Sequence, residues 1–204
     1  MNRSLSRGQA GFALFSALIF LVVLTVLAVA VLRSSTITER MAGNDLDRAR
    51  AYQLAEATIR DAQQDILGLR ANGQPCGGNP ACRPFSDRPN KDAGLSDLSY
   101  LGTCLRGACA LEPAQYAAGG FVNPWELPDP GVGSPARPYG IYGERTGADW
   151  VAIQNESGAA AQPRYWIEIF QNSASSDTFL YRITVRATGR NPNTVVTLQE
   201  LYQP

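Results

Sequence analysis

Residues Phe12 to Leu32 read FALFSALIFLVVLTVLAVAVL, a run of 21 residues without a charge in which Ser16 and Thr25 are the polar members. At about 1.5 Å per residue the run spans roughly 31 Å as a helix, close to the hydrocarbon thickness of a bilayer. A buried helix in a soluble core rarely stays uncharged over such a length, so a membrane segment is expected. Arg3 and Arg7 precede the run and favour a cytoplasmic amino terminus, which places the rest of the chain outside the cytoplasm.

Three processing fates fit the run and its flanks. A secretory signal peptide would be cut near Ala28-Val29-Ala30 and would discard the apolar segment. An ordinary anchor would stay intact. A prepilin-type leader would be MNRSLSRGQAG, residues 1–11, cut between Gly11 and Phe12 so that the apolar helix stays on the mature protein.

The residues after the run discriminate among these fates. From Arg33 to Leu69 there is no proline, and Gly43 is the one glycine before Gly68. Apolar or small residues recur at Ile37, Met41, Ala49, Tyr52, Ala55, Ile59, Ala62, Ile66 and Leu69, the spacing of an amphipathic helix. Glu56 and Arg60 stand four apart in the favourable order. Gly68 and Pro75 supply a stop. The helical signal therefore extends from Phe12 to about Leu67, with a uniformly apolar first half (12–32) and a striped second half (33–69). Gly43, beside Asn44, is its weakest point.

Leader, glycine, phenylalanine and apolar run resemble a type IV prepilin. The segment Thr36 to Arg60, TITERMAGNDLDRARAYQLAEATIR, resembles the N-terminal region of the PilX family of minor pilins. The matching residues are Glu39, Arg40, Met41, Ala42, Gly43 and Asn44, then Asp47-Arg48, Tyr52-Gln53 and Ala55-Glu56-Ala57. Tyr181 to Tyr202 (YRITVRATGRNPNTVVTLQELY) is similar to that family's last strands. The resemblance implies cleavage at Gly11 and N-methylation of Phe12 by prepilin peptidase. It implies residence in the inner membrane before assembly and in the pilus afterwards. Its implied partners are the major pilin, other minor pilins and a tip adhesin. Its implied outputs are pilus assembly, twitching motility, adhesion and DNA uptake.

One position departs from the pilin pattern. Most pilins carry glutamate at the fifth residue of the mature chain, where it neutralises a neighbour's amino terminus. Counted from Phe12, that position is Ser16. An unpaired ammonium in hydrocarbon costs several kcal/mol, so a repeating subunit lacking this carboxylate would assemble poorly. A tip subunit has no preceding amino terminus to pair, and the expectation is a position at or near the tip, as for the tip pseudopilin of type II secretion systems. A pseudopilin of that kind, and a membrane-anchored periplasmic binding module, are the competing readings.

Beyond Gly68 the composition changes. Residues 71–149 hold 13 of the 19 glycines and 10 of the 13 prolines, which disfavours long helices and central strands. Tyr100, Tyr116, Phe121, Trp125, Tyr139 and Tyr142 are candidate anchors for this connection, read as 70–149. It also carries Cys76, Cys82, Cys104 and Cys109, in spacings that fit neither a C-x-x-C redox motif nor common zinc knuckles. In an oxidising compartment two disulfides are expected. Local bridges are the simplest pairing, and crossed bridges stay open.

Strands are expected in residues 150–204: a short apolar run at Trp150 to Ile153, then Arg164 to Phe170, Phe179 to Ala187 and Thr194 to Tyr202. Phe179, Tyr181, Ile183, Val185 and Ala187 alternate with Leu180, Arg182, Thr184 and Arg186, the mark of a half-buried strand. Gly189 to Asn193 makes a hairpin, and Gln171 to Thr178 a looser turn. The expected architecture is α+β, the type IV pilin fold by resemblance. Its long N-terminal helix packs on a small antiparallel sheet, joined by a disulfide-stapled loop.

Chemistry is largely excluded. The 204 residues include no histidine, and their 18 basic and 18 acidic side chains balance. Histidine-based triads and histidine-containing zinc sites are thereby impossible. Lys91 is the one lysine, and no phosphate-cradling glycine motif lies between a strand and a helix. No enzyme activity, cofactor or metal is expected. The sequon Asn155-Glu156-Ser157 is a short pattern that arises readily by chance. Arg182 and Arg186 read as a solvated face, so direct contact with nucleic acid is not expected.

Overall fold

A computed structural model of the chain describes residues 10–78, 82–83, 89, 98, 103–110, 125, 137–171 and 178–204. Two compact units divide it, Met1–Leu46 and Asp47–Pro204. Helix α1, Ala10–Leu67, is continuous over 58 residues. After it come strands β1 (Thr103–Leu105), β2 (Ala108–Ala110) and β3 (Gly140–Ile141), helix α2 (Trp150–Ser157), and strands β4 (Arg164–Gln171), β5 (Phe179–Thr188) and β6 (Val195–Tyr202).

In the first unit, α1 is long and apolar enough to cross a membrane, with a mean hydropathy of 3.0 over its most apolar window. Large side chains from Phe12 to Leu32 are exposed. The hydroxyls in this stretch are paired within the helix: Ser16 Oγ donates to the Ala13 carbonyl at 3.0 Å and Thr25 Oγ1 to that of Val22 at 2.8 Å. Internal satisfaction of this kind is what a segment without water requires. Gly43 does not interrupt the helix, and a Cβ there would meet open space.

In the second unit, α1 ends as the sequence requires. Gly68 has φ 70°, its N–H donates to the Asp65 carbonyl, and the Leu69 N–H donates to that of Gln64. These are the two bonds of a Schellman cap. The side chains that α1 buries here are Ala51, Leu54, Ala55, Thr58, Ile59, Asp61, Ala62 and Asp65. The buried stripe thus shares Ala55, Ile59 and Ala62 with the apolar pattern but is rotated away from it. Tyr52 is 47% exposed, while one threonine and two aspartates lie inside.

The sheet runs β1-β2-β4-β5-β6, with β3 also on β4. Strands β4, β5 and β6 form the expected antiparallel meander, with Ile167 opposite Ile183 and Val185 opposite Leu198. Strand β2, however, pairs with β4 in parallel, so the sheet is mixed. The Gly/Pro-rich connection does supply strands, though of only two or three residues. A tight turn at Arg106 and Gly107, both at positive φ, closes β1 on β2. Disulfides join Cys76 to Cys82 and Cys104 to Cys109, the latter between partner residues of that hairpin.

Tyr165, Ile167 and Ile169 of β4 and Tyr181, Ile183, Val185 and Ala187 of β5 form the core with Leu54, Ala55, Ile59 and Ala62 of α1. The other face of β4 is also covered. The Trp166 ring stacks on Trp125 at 5.3 Å, and Glu168, fully buried, forms a bidentate ion pair with Arg182. The run RYWIEIF therefore reads as a strand buried on both sides.

The segment expected as a first strand, Trp150 to Ile153, is instead part of α2. Asp149 caps its N-terminus by accepting from the Ala152 N–H at 3.1 Å, and Gly158 ends it in the left-handed region. Trp150 and Ile153, three apart, then reach the core from one side of the helix.

Candidate functional site

The residues singled out from sequence fall into two groups. Gly11, Phe12 and Ser16 lie in the opening turns of α1. Phe12 is 78% exposed, and the Ser16 hydroxyl donates to the Ala13 carbonyl of its own helix. Glu39, Arg40, Met41, Ala42, Gly43 and Asn44 lie in the middle of α1, every one exposed. They make no packing demand that would explain the spelling of the segment.

Beyond them α1 does acquire specific contacts. Asp47 accepts from the backbone N–H groups of Arg190 at 2.6 Å and Asn191 at 3.2 Å, closing the β5–β6 hairpin onto the helix. The Thr194 hydroxyl, foremost, and these two amides hold its carboxyl below the usual range. Gly189 passes so close to this carboxylate that a Cβ would overlap its oxygens. Asp47 and Gly189 are thus a matched pair from opposite ends of the sequence. Ala55 is buried in the core, whereas Arg48, Tyr52 and Gln53 are exposed.

Further along α1, Asp61 accepts from the Gly143 N–H at 2.8 Å and from the Thr146 hydroxyl. Burial pushes its carboxyl up to about 6 against the pull of those hydrogen bonds, and Asp65 adds to the rise. Asp65 accepts from Arg83 Nε at 3.1 Å, from Arg83 Nη2 at 2.6 Å and from the Tyr165 hydroxyl at 3.1 Å. Arg83 also donates to the carbonyls of Leu105 and Arg106. The two carboxylates therefore tie the end of α1 to the 142–147 loop, to the segment after the first disulfide, to the β1–β2 turn and to β4.

Sequence reading missed Asp61, Asp65, Arg83, Glu168 and Thr146. One signal was available. Two aspartates at i and i+4 repel in an isolated helix, so their presence on a packing face implies partners elsewhere.

A shallow groove of about 460 Å³ lies between α1 and the edge strand β6, lined by Tyr52, Glu56, Ile59, Arg60, Leu198 and Glu200, among others. Arg182 is engaged with Glu168, and Arg186 is exposed on the same strand. The sequon Asn155 to Ser157 lies within α2, with Ser157 Oγ accepting from the Ala159 N–H. Tyr139 and Tyr142 are buried. Lys91, Tyr100, Tyr116, Phe121 and the turn at 172–177 lie outside the described residues. Among the described residues no cluster of histidine, cysteine or acidic side chains is placed to hold a metal, and all four cysteines are in disulfides.

Comparison with protein families places these features. The family described as Type IV pilus assembly protein PilX C-term matches residues 78–204, and the PilX N-terminal family matches residues 10–60. The chain belongs to the PilX family of type IV pilus assembly proteins. No curated protein and no solved structure matches it. The N-terminal PilX match takes in Phe12, Ser16, Glu39 to Asn44 and Asp47. The C-terminal match takes in Cys82, Cys104, Cys109 and the whole sheet. PilX proteins are structural components of pilus assembly, and family membership implies interaction with other pilus components.

Proposed function

We propose that this PilX-family chain is a minor pilin that helps initiate filament assembly at or near the pilus tip. It is cut between Gly11 and Phe12 by prepilin peptidase, methylated at Phe12, and held as a single-pass inner-membrane protein with its C-terminal unit in the periplasm. From there it joins other minor pilins and the major pilin, with a tip adhesin as a further partner. Twitching motility, adhesion and DNA uptake are the outputs of the assembled filament.

The observation that carries this reading is Ser16. Its hydroxyl is neutral and donates to the Ala13 carbonyl, and with no acidic residue between Phe12 and Leu32 the apolar stretch offers no carboxylate that could neutralise a neighbour's ammonium. A subunit at the distal end has no such ammonium to meet. The exposed apolar surface of Phe12 to Leu32 fits a segment that passes from lipid to the company of other helices.

Mass spectrometry of the mature protein tests the processing, with N-methyl-Phe12 expected; a start at Val31 or an intact Met1 sinks the reading. Labelling of isolated pili tests the position. Signal confined to one filament end is expected, and signal along the shaft with unchanged assembly by Ser16→Glu overturns it.

A further inference from the structure

Strand β6 is an edge of the sheet: β5 pairs with it on one side, and among the described residues no strand lies on the other. In an antiparallel ladder every second residue of such a strand turns its N–H and C=O away from its neighbour. The open row spans eight residues, roughly 26 Å at about 3.3 Å each. An open edge templates pairing with another chain, and soluble folds usually blunt it with proline, lysine, a bulge or a short strand. Val195 to Tyr202 has neither proline nor lysine. Its register is unbroken from Val195 opposite Thr188 to Tyr202 opposite Tyr181.

The space beside this edge is shaped as well. The groove of about 460 Å³ between α1 and β6 has Tyr52 and Ile59 on its helical wall and half-buried Leu198 on its strand wall. Tyr52 belongs to the apolar stripe of α1, yet the core leaves it exposed. A strand laid along β6 at the usual spacing of about 4.8 Å would set its inward side chains against that wall.

Charge narrows the occupant. Two carboxylates, Glu56 and Glu200, and one guanidinium, Arg60, line the groove, which leaves one negative charge in excess. Glu56 and Arg60 stand four apart on α1 and offset each other, so the excess falls on Glu200. That side chain is half-buried and accepts from Gln63 Nε2 at 3.0 Å. An inward-pointing charge on an edge strand discourages pairing with a wholly apolar strand. Directly opposite it, a like charge is unfavourable and a cation favourable.

We propose that β6 takes an added strand from another protein chain, an extended segment with apolar side chains at alternate inward positions and one lysine or arginine among them, opposite Glu200. Backbone hydrogen bonds supply the affinity and the charge pair the selectivity. The β6 strand of a second copy does not meet this requirement, since its inward set of Val196, Leu198, Glu200 and Tyr202 holds a glutamate and no cation. The proposal requires no particular position of the subunit in a filament.

The test uses the full mature chain in detergent and a blocked, fluorescently labelled eight-residue peptide of alternating valine and threonine, with one central valine replaced by lysine. Saturable binding by anisotropy is expected, with amide hydrogen exchange slowed in residues 195–202. The matched peptide with glutamate in place of lysine should bind at least about fivefold more weakly. N-methylation of every second peptide amide should abolish binding in one phase and spare it in the other. Glu200→Lys should reverse the preference between the two peptides, and if that variant does not fold, Glu200→Gln should erase it. Absent binding, equal binding of both peptides, a preference unchanged in the variants, or free exchange of residues 195–202 in the complex overturns the proposal. So does protection of 195–202 by self-association without peptide, which would assign the edge to a second copy.

Discussion

Asp61 sits where its charge is opposed by burial and by Asp65, and this has a consequence for stability. Its folded pKa of about 6 stands above the ordinary 3.8 of an unfolded aspartate. A raised carboxyl means that the folded state binds the proton more tightly. The resulting stability is fully present below about pH 4 and is lost as pH rises through about 6. The full effect has a ceiling of about 3 kcal/mol, from a shift of about two units. Denaturant titrations between pH 4 and 7 should show stability declining with pH, and Asp61→Asn should flatten that slope. An unchanged slope in the variant would assign it elsewhere. Asp47 works in the opposite sense: its lowered carboxyl stabilises at neutral pH and loses that contribution only as pH falls below the ordinary range, so the two windows do not overlap. Asp65 belongs to a different class because its counter-ion is buried with it. Removing it by Asp65→Ala takes away the carboxylate that accepts two bonds from buried Arg83 and should cost about 3–5 kcal/mol, read as a drop in the urea midpoint.

At the level of elements, the backbone spoke clearly and the polar side chains did not. The bounds of α1, β4, β5 and β6 come from proline-free runs, period-two alternation and a glycine stop, all local properties. The reading failed at Trp150 to Ile153, where four apolar-leaning residues fit either period. There the decision lay in Asp149 and Gly158, which cap one short helix between them. It failed too on the phase of the α1 stripe. Ala51 and Leu54 line the core, but Asp61 and Asp65 also point inward because their partners come from residues 83, 143, 146 and 165. No local pattern encodes contacts at that sequence distance. The β5–β6 hairpin shows the same dependence in a form that can be tested. A Cβ at Gly189 would overlap the Asp47 carboxylate, so one of the two must give way. Gly189→Ala alone should destabilise the unit by forcing that carboxylate off the turn. In the double variant with Asp47→Ala the two losses should be less than additive, and a double-mutant cycle in thermal unfolding measures the coupling. Strict additivity would show that the two residues act separately.

For the molecule as a whole, structure and exposure are divided along the sequence. Among the described residues, no buried hydrophobic side chain precedes Ala51, while nearly every large side chain from Phe12 to Leu32 is exposed. Charge shows the same division. None falls between Phe12 and Leu32, and from Arg33 to Arg70 six basic residues balance six acidic ones. Formal neutrality is thus an average over an apolar segment, which needs lipid or other helices around it, and a self-contained unit, which needs neither. The core made by α1 from Ala51 onward and by the sheet has its contacts within Asp47–Pro204. A chain beginning at Arg33 is therefore expected to remain in solution without detergent and to unfold cooperatively, with a Tm within a few degrees of the full-length protein in micelles. The Tm of Asp65→Ala should fall by the same amount in both forms, because every partner of that carboxylate is retained. Aggregation of the shortened chain, or a broad transition without cooperativity, would mean that residues 12–32 contribute to folding the rest.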